Sequence, residues 1–324
     1  MSPKLSIIIP CYNCEKTLRE AVDSCYVQGF SENEFEIVMV DDGSTDETRE
    51  LMKRLAEEHA NLHLFFHEKN KGGGAARNTA VANSKSEVIF CLDSDDLLPP
   101  NTLDKMLDYL HKKQCDAVTF NKSINFIGRN TNNISHIVTM TKPGEQIVFE
   151  DLFQTPDKMC GLYQVFMITK KAFIKTGGYP THHGFDTQGF AWRFLSANLV
   201  AYTCPNTSYL LRVQFKESYY LREYNSGKNN FNWQAIFIEN LPLFEDSIQK
   251  FIKNFDCRDF TRDIFTELLT QTKILRDNYQ ELIGNSLNRD TVIVQTKKPI
   301  SRNSLFGFYL RAKKMISNFL IHIS

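Results

Sequence analysis

Three carboxylates close the stretch Val88–Asp96 (VIFCLDSDD), where an apolar run stops at Asp93, Asp95 and Asp96 around a single serine, Ser94. Side chains alternate along a strand, so Asp93 and Asp95 emerge on one side if the extended geometry continues. Two carboxylates that close repel unless something cationic sits between them. A hard divalent ion, Mn²⁺ or Mg²⁺, carrying the phosphates of a ligand is the natural occupant, because it prefers oxygen ligands and takes few protein carboxylates. The run before them, Val88–Leu92, reads as a strand buried on both faces of a parallel sheet. Ligands of open α/β sheets lie at the carboxyl ends of such strands. Taken alone, SDDLLPP reads more simply as the cap and start of the next helix.

Two further stretches carry residues suited to chemistry. Val40-Asp41-Asp42-Gly43-Ser44 ends another apolar run. An acidic side chain there can accept a hydrogen bond from the imide N–H of a uracil or thymine, and the glycine permits close approach. An ordinary strand-to-helix turn would use the same residues. Lys71-Gly72-Gly73-Gly74-Ala75-Ala76-Arg77-Asn78 keeps its backbone bare, so a ligand could approach amide groups at a helix N-terminus. Arg77 could pair with a phosphate or lock a neighbouring aspartate. The run has neither the Gly-Lys-Ser/Thr of a P-loop nor G-x-G-x-x-G.

The elements that must position these residues follow from periodicity. Leu5–Ile9, Glu36–Val40, Leu62–Phe66 and Val88–Leu92 read as strands. Between them, Cys14–Gln28, Thr45–His59 and the segment from the glycine turn to Asn83 read as helices, with Ser44 or Thr45 as N-cap of the second. Strand alternating with helix predicts βαβ units and a parallel sheet, so residues 1–100 form a nucleotide-binding half-sheet. Beyond Pro99-Pro100, the pattern predicts a helix over Thr102–Lys112 and a strand over Asp116–Phe120. Residues 121–150 are polar and poorly periodic, a hairpin or a loop over the site. A strand over Tyr163–Ile168, a helix over Gln188–Ala197 and two strands around Pro205 within Val200–Val213 follow. From Phe231 to Ile283 the spacing turns helical, interrupted by Pro242.

Composition bounds the rest. The chain of 324 residues, 42% hydrophobic, is long enough for a large domain with an appendage or a second domain. Lys+Arg and Asp+Glu each total 38, which argues against a nucleic-acid-binding surface as the main theme. The eight cysteines are scattered; Cys11 and Cys14 form a CxxC, but no second pair offers zinc-ligand spacing. We expect neither zinc nor a structural disulfide there, and a reducing cytoplasm as the compartment. No apolar run approaches the ~20 residues needed to span a bilayer.

In this order and spacing, SIIIPCYN, VDDGSTD, GGGAARN and LDSDD closely resemble the family 2 glycosyltransferases of the GT-A fold, of bacterial polysaccharide or glycan-assembly type. The resemblance is strong over residues 1–100 and extends more loosely to about Arg222. It implies an α/β fold of Rossmann-like, mixed but mainly parallel sheet flanked by helices. A GT-A domain would occupy residues 1–225, nucleotide-binding over 1–100 and acceptor-binding over 101–225, with a helical C-terminal region over 226–324. It also implies a nucleotide-sugar donor, a UDP-sugar above others. Pro10 and Tyr12 would line the base pocket, with Asp41 or Asp42 reading the uracil. Arg77 and Ser94 would belong to the donor site, Asp93 would meet ribose or metal, and Asp95 would ligate Mn²⁺ or Mg²⁺.

Family members commonly carry Glu-Asp at the start of a later helix, the aspartate being the general base of inverting members. Here Phe185 replaces the glutamate, and Asp186 matches the aspartate; an N-cap would also favour aspartate. Where the family often has a metal-binding histidine, this chain offers Gln214, with His182 and His183 nearby. Arg212 could reach the diphosphate or form a structural pair. The acceptor implied is a glycan or a lipid-linked saccharide, as in capsule or lipopolysaccharide synthesis. Residues 291–324 contain no acidic side chain and place Phe308, Ala312, Met315, Phe319 and Ile323 at helical intervals among basic residues. Such a helix can lie peripherally on the anionic inner face of a cell membrane or pack on the preceding helices. Two rival functions remain: a binding-only relative that has lost catalysis, and a sugar-nucleotide pyrophosphorylase, whose glycine-rich basic signature after the first strand PCYNCEKT does not supply.

Overall fold

The computed structural model describes residues 2–140, 143–152, 160–163, 165–181, 184–213 and 236. All but the last belong to the first of two units into which the chain divides, Met1–Ser226. The helical reading of Phe231–Ile283 (Ile236 apart), the basic tail, Gln214, His182 and His183 lie outside the described residues.

Four apolar runs form parallel neighbours: β1 (Leu5–Cys11), β2 (Phe35–Asp41), β3 (Leu62–Phe66) and β4 (Val88–Cys91), in the order β3-β2-β1-β4. The intervening helices are α1 (Leu18–Cys25), α2 (Thr48–Glu58) and α3 (Gly73–Ala82), followed by α4 (Thr102–Lys113). Alternation sorts the strands' side chains. Leu5, Ile7, Ile9, Ile37, Met39 and Phe90 join Leu18, Val22, Met52, Leu55, Leu103 and Met106 of α1, α2 and α4 in one core cluster. On the other face, α3 lies close against β1 and β2 through its small residues, Ala76 and Ala80 being fully buried.

The sheet continues through β8 (Met167–Thr169), β5 (Ala117–Ile127), β9 (Ala201–Val213) and β7 (Gln146–Ile147), with β6 (Ile134–Thr139) paired to β5. β8 is antiparallel to both β4 and β5, whereas β9 is parallel to β5, so the sheet is mixed but mainly parallel. Two more helices, α5 (Lys170–Thr176) and α6 (Asp186–Ser196), pack on each other, and α6 reaches α3. Among the described residues no helix is long and apolar enough to cross a membrane.

Several boundaries differ from the periodicity reading. α1 is shorter than Cys14–Gln28, because Cys14–Thr17 form the turn that enters it. α2 begins at Thr48, and neither Ser44 nor Thr45 caps it; Asp46 accepts the Thr48 N–H instead. Of the two readings of the polar segment after Phe120, the hairpin is the one seen, since β5 runs on to Ile127 and turns back antiparallel as β6. The strand expected over Tyr163–Ile168 is confined to Met167–Thr169, preceded by a short 3₁₀ turn at Gly161–Tyr163. Pro205 does not divide Val200–Val213. β9 passes through it by a bulge in which Pro205, Asn206 and Thr207 stand opposite Asn121, so the missing proline N–H falls where no ladder bond is due.

Candidate active site

The carboxyl ends of β1, β2 and β4 share one edge of the sheet, which brings the three sequence stretches together. Asp42 N–H donates to the Cys11 carbonyl (2.8 Å) and Leu92 N–H to that of Ile8 (2.9 Å), locking the strand ends in register. Pro10 ends β1 half-buried beside Asp41's strand, and Tyr12 follows with its ring 46% exposed at the rim. The loop beyond is held by Asn13, whose N–H donates to Ser44 Oγ (3.0 Å) and whose Oδ1 accepts from Thr45 N–H (2.9 Å).

Asp41 and Asp42 are both buried, and both accept bonds from the protein. Asp41 pairs with Arg49 Nε (2.6 Å) and accepts from the N–H groups of Gly43 and Ser44. Asp42 accepts from Lys71 N–H (2.9 Å) and Gly72 N–H (2.8 Å) and meets His67 Nδ1 at 2.7 Å; His67 Nε2 lies 2.9 Å from Thr79 Oγ1. A carboxylate at the N-terminus of α3 complements the helix dipole. It also holds the glycine turn on β2.

That turn serves a purpose other than the one expected of it. A Cβ on Gly74 would run into the Pro180 carbonyl oxygen and stand 3.1 Å from Asp186 Cβ. One on Gly73 would stand 2.8 Å from Arg77 Nη1 and 3.1 Å from Asp186 Oδ2. The bare backbone therefore admits residues of the chain itself, Pro180 and Asp186. Only Gly72, at φ 94°, faces open space, and its N–H already serves Asp42. Asn78 fixes the same contact, donating from Nδ2 to the Tyr179 carbonyl (2.9 Å) and accepting Tyr179 N–H at Oδ1 (2.8 Å).

Arg77 lies at the centre. Its Nη2 donates to Asp93 Oδ1 (2.6 Å), its Nη1 to Asp186 Oδ2 (2.5 Å) and its Nε to Cys91 Sγ (3.2 Å), while its guanidinium lies 5.5 Å from the Tyr179 ring centre. The Arg77 side chain is 9% exposed, Asp186 15% and Asp93 34%. Asp186 opens α6, with Phe185 buried just before it, rather than capping the helix expected from Gln188 onward. α6 is seated by Phe190, whose ring packs on Phe166 (5.3 Å), Phe173 (5.5 Å) and Tyr179 (4.5 Å). Burial pushes the Asp186 carboxyl above its usual range, against the opposing pull of Arg77.

The remaining carboxylates have unlike surroundings. Asp96 is buried and structural, accepting from Tyr209 Oη (2.8 Å) and Arg212 N–H (2.7 Å). Arg212 is likewise a structural pair. Its guanidinium donates to the Asp95 carbonyl (2.7 Å), Glu20 Oε2 (2.6 Å) and the Gly128 carbonyl, and stacks on Phe126. Asp95 is the exception, since among the described residues no other side chain donates to its carboxylate. Burial, reinforced by neighbouring Asp93, pushes its pKa up to about 6. Ser94 lies half-buried between them.

No group of three or more His, Cys, Asp or Glu side chains among the described residues is arranged to hold a metal. Asp93 and Asp95 nonetheless suit a hard divalent ion that takes one or two carboxylates and completes its shell with phosphate and water. The unpaired, repelled carboxylate of Asp95 is what such an ion would relieve. Sequence reasoning missed Arg49, His67 and Tyr179. Asn78, adjacent to Arg77 in the AARN run, carried the one local signal.

Residues 6–178 match a family model described as Glycosyl transferase family 2. An uncharacterized glycosyltransferase of Haemophilus influenzae is 35% identical over 108 residues, 33% of this chain and 42% of that protein. The poly(ribitol-phosphate) beta-N-acetylglucosaminyltransferase TarS of Staphylococcus aureus is 35% identical over 116 residues, 36% of this chain and 20% of its own length. The chain thus spans well under half the length of these relatives. The crystal structure of S. aureus TarS 1–349 in complex with UDP-GlcNAc is similar with a TM-score of 0.63 at 20% identity, covering 95% of this chain and 81% of that one. The mannosyltransferase PcManGT of Pyrobaculum calidifontis, in complex with GDP-Man and Mn²⁺, gives 0.55 at 19% identity over 100% of this chain and 86% of its own. At such identities these structures bear on the fold.

Proposed function

The chain belongs to glycosyl transferase family 2 and has the GT-A fold, and from that premise we propose that it moves a sugar, with inversion, from a UDP-sugar to a hydroxyl of a glycan or lipid-linked saccharide. One observation carries this reading: Arg77 ties Asp93, at the end of the fourth strand, to Asp186, at the start of α6. The donor-side carboxylates and the prospective base thereby form one cluster.

In this reading Pro10 and Tyr12 flank the base, and Asp41 or Asp42 reads the uracil. Asp93, Ser94 and Asp95 face the diphosphate, with Asp93 and Asp95 holding Mn²⁺ or Mg²⁺. The ion, when bound, stabilises charge on the departing diphosphate as a Lewis acid. Arg77 acts on the donor through Asp93 and on the acceptor through Asp186, fixing both carboxylates against a buried cation. Asp186 accepts the proton of the acceptor hydroxyl as its oxygen attacks the anomeric carbon from the face opposite UDP. Burial raises its basicity, and Arg77 keeps it ionised.

A UDP-release assay across UDP-sugars and saccharide acceptors tests the proposal. Acceptor-dependent UDP release is expected, abolished by EDTA and restored by Mn²⁺ or Mg²⁺. Phe185, in place of the family's glutamate, favours one second reading, a relative that binds UDP-sugars without turning them over. Tight UDP binding with no release on any acceptor would select it.

A further inference from the structure

Arg77 grips the Asp186 carboxylate, but an ion pair at the tip of a long side chain does not by itself hold the helix that carries its partner. The next residue of α3, Asn78, acts on that helix by another route. Its amide meets the backbone of Tyr179 with both ends, Nδ2 donating to the carbonyl (2.9 Å) and Oδ1 accepting the N–H (2.8 Å). An amide offers a donor and an acceptor at once, so the side chain pairs with Tyr179 as a neighbouring strand would. Gly178 makes the approach possible. A Cβ there would stand 2.8 Å from Asn78 Oδ1, and its φ of 79° is one that side chains rarely adopt. The same turn is fastened to α6. Gly178 gives its carbonyl to Arg193 Nη1 (2.9 Å), and the Tyr179 ring packs on Phe190 at 4.5 Å. Both partners belong to α6, whose first residue is Asp186. Residues 178–180 thus form a wedge, bonded to α3 through Asn78 and to α6 through Arg193 and Phe190.

We propose that Asn78 is a positioning residue for sugar transfer: by clamping the backbone of Tyr179 it holds the start of α6, and with it Asp186, within reach of the acceptor hydroxyl. The role rests on the reading of Asp186 as the general base. Arg77 restrains the carboxylate itself, whereas Asn78 restrains the backbone from which the carboxylate projects. A base must lie within hydrogen-bond reach of the proton it takes, and a displacement of about 1 Å can cost ~10²-fold in rate. Both hydrogen bonds of the Asn78 amide go to Tyr179 and none to the donor-edge carboxylates, so its loss falls on turnover rather than on nucleotide binding.

The test uses the full chain. Asn78→Ala removes both bonds. Asn78→Asp is nearly isosteric and keeps an acceptor for the Tyr179 N–H, but sets an oxygen against the Tyr179 carbonyl; it serves if the alanine variant fails to fold. With the UDP-sugar and saccharide acceptor that release UDP fastest, kcat should fall about 10–100-fold while UDP affinity is retained. A bond that only stabilised the fold would leave kcat of the folded protein unchanged. The double variant with Asp186→Asn isolates the route. Once the base is gone its placement no longer matters, so the double variant should turn over about as fast as Asp186→Asn alone. Amide hydrogen exchange at Tyr179 and through Asp186–Phe190 should quicken in the Asn78 variants and stay unchanged in β1–β4, a readout that needs no acceptor. Undiminished kcat, losses that multiply in the double variant, or unaltered exchange at Tyr179 and the start of α6 each overturns the proposal. Near-normal turnover of Asp186→Asn would remove the base assignment, and this role with it. Absence of UDP release from every donor and acceptor pair would count against the proposed activity, leaving the exchange to judge the clamp.

Discussion

Arg77 and Asp186 stand 109 positions apart in sequence and meet at 2.5 Å, joining α3 to the start of α6. Asp93 shares the same guanidinium at 2.6 Å, so Arg77 is held by a carboxylate on either side.

The first prediction concerns Asp186→Asn. Asparagine keeps the shape but cannot take the acceptor's proton, so transfer should fall by ~10²–10⁴-fold while UDP affinity is retained. Phe185, not Asp186, occupies the N-cap position, so helix capping offers no rival explanation for such a loss. Near-normal turnover in UDP-release assays would show that another group is the base.

Arg77 should tolerate no replacement well. Arg77→Met leaves two carboxylates facing each other without their cation and should cost about 3–5 kcal/mol in urea denaturation, as for other broken buried pairs. Arg77→Lys keeps the charge but can reach one carboxylate at a time, so it should recover stability more than turnover. Equal recovery of both would mean that the fork geometry is not needed.

Asp95 yields a prediction of the opposite sign. Its folded-state pKa of about 6 lies above its usual 3.8, so between those values the folded chain binds more protons than the unfolded one. Its ionisation therefore costs stability above about pH 6, and the cost fades as pH falls through that value. In EDTA, Asp95→Asn should be more stable than the parent near about pH 8 by about 1 kcal/mol, the gain shrinking towards about pH 5. The same substitution should weaken UDP binding in Mn²⁺. Unchanged affinity in Mn²⁺ would remove Asp95 from the metal site.

Glycines 72 and 74 should part company. Gly74→Ala drives a methyl into the Pro180 carbonyl, so we expect a loss of about 1–3 kcal/mol together with reduced turnover as Asp186 is displaced. Gly72→Ala meets no atom within 4 Å and suffers the strain of a glycine-only backbone, φ 94° and ψ 155°, about 1–3 kcal/mol, but leaves Asp186 in place and should keep its turnover. Turnover of the two folded variants separates them, and equal losses of activity would mean the Pro180 contact is readily relaxed.

The basic tail gives the last. Removing residues 297–324 should lower binding to vesicles containing anionic lipid at low salt, if the segment lies on the membrane surface. Unchanged sedimentation with vesicles would assign that role elsewhere.

The sequence alone determined the half-sheet and the list of groups at its edge. Strand and helix periodicities are properties of near neighbours, so LSIII, EIVMV and VIFCL could be placed without any knowledge of what they pack against. Parallel pairing then obliges Tyr12, Asp42 and Asp93 to emerge on one edge. Tertiary structure decided what each of those groups touches. Nothing local says that the glycines of GGGAARN make room for Pro180 and Asp186, that Arg212 is taken up by Glu20 and the Asp95 carbonyl, or that β9 survives Pro205 by bulging opposite Asn121. Those contacts join residues far apart in the chain, and they depend on which surfaces meet when the later strands and helices pack beside the first four strands. A side chain's type and its neighbours in sequence fix which element it joins; the partner that holds its charge is chosen only by packing.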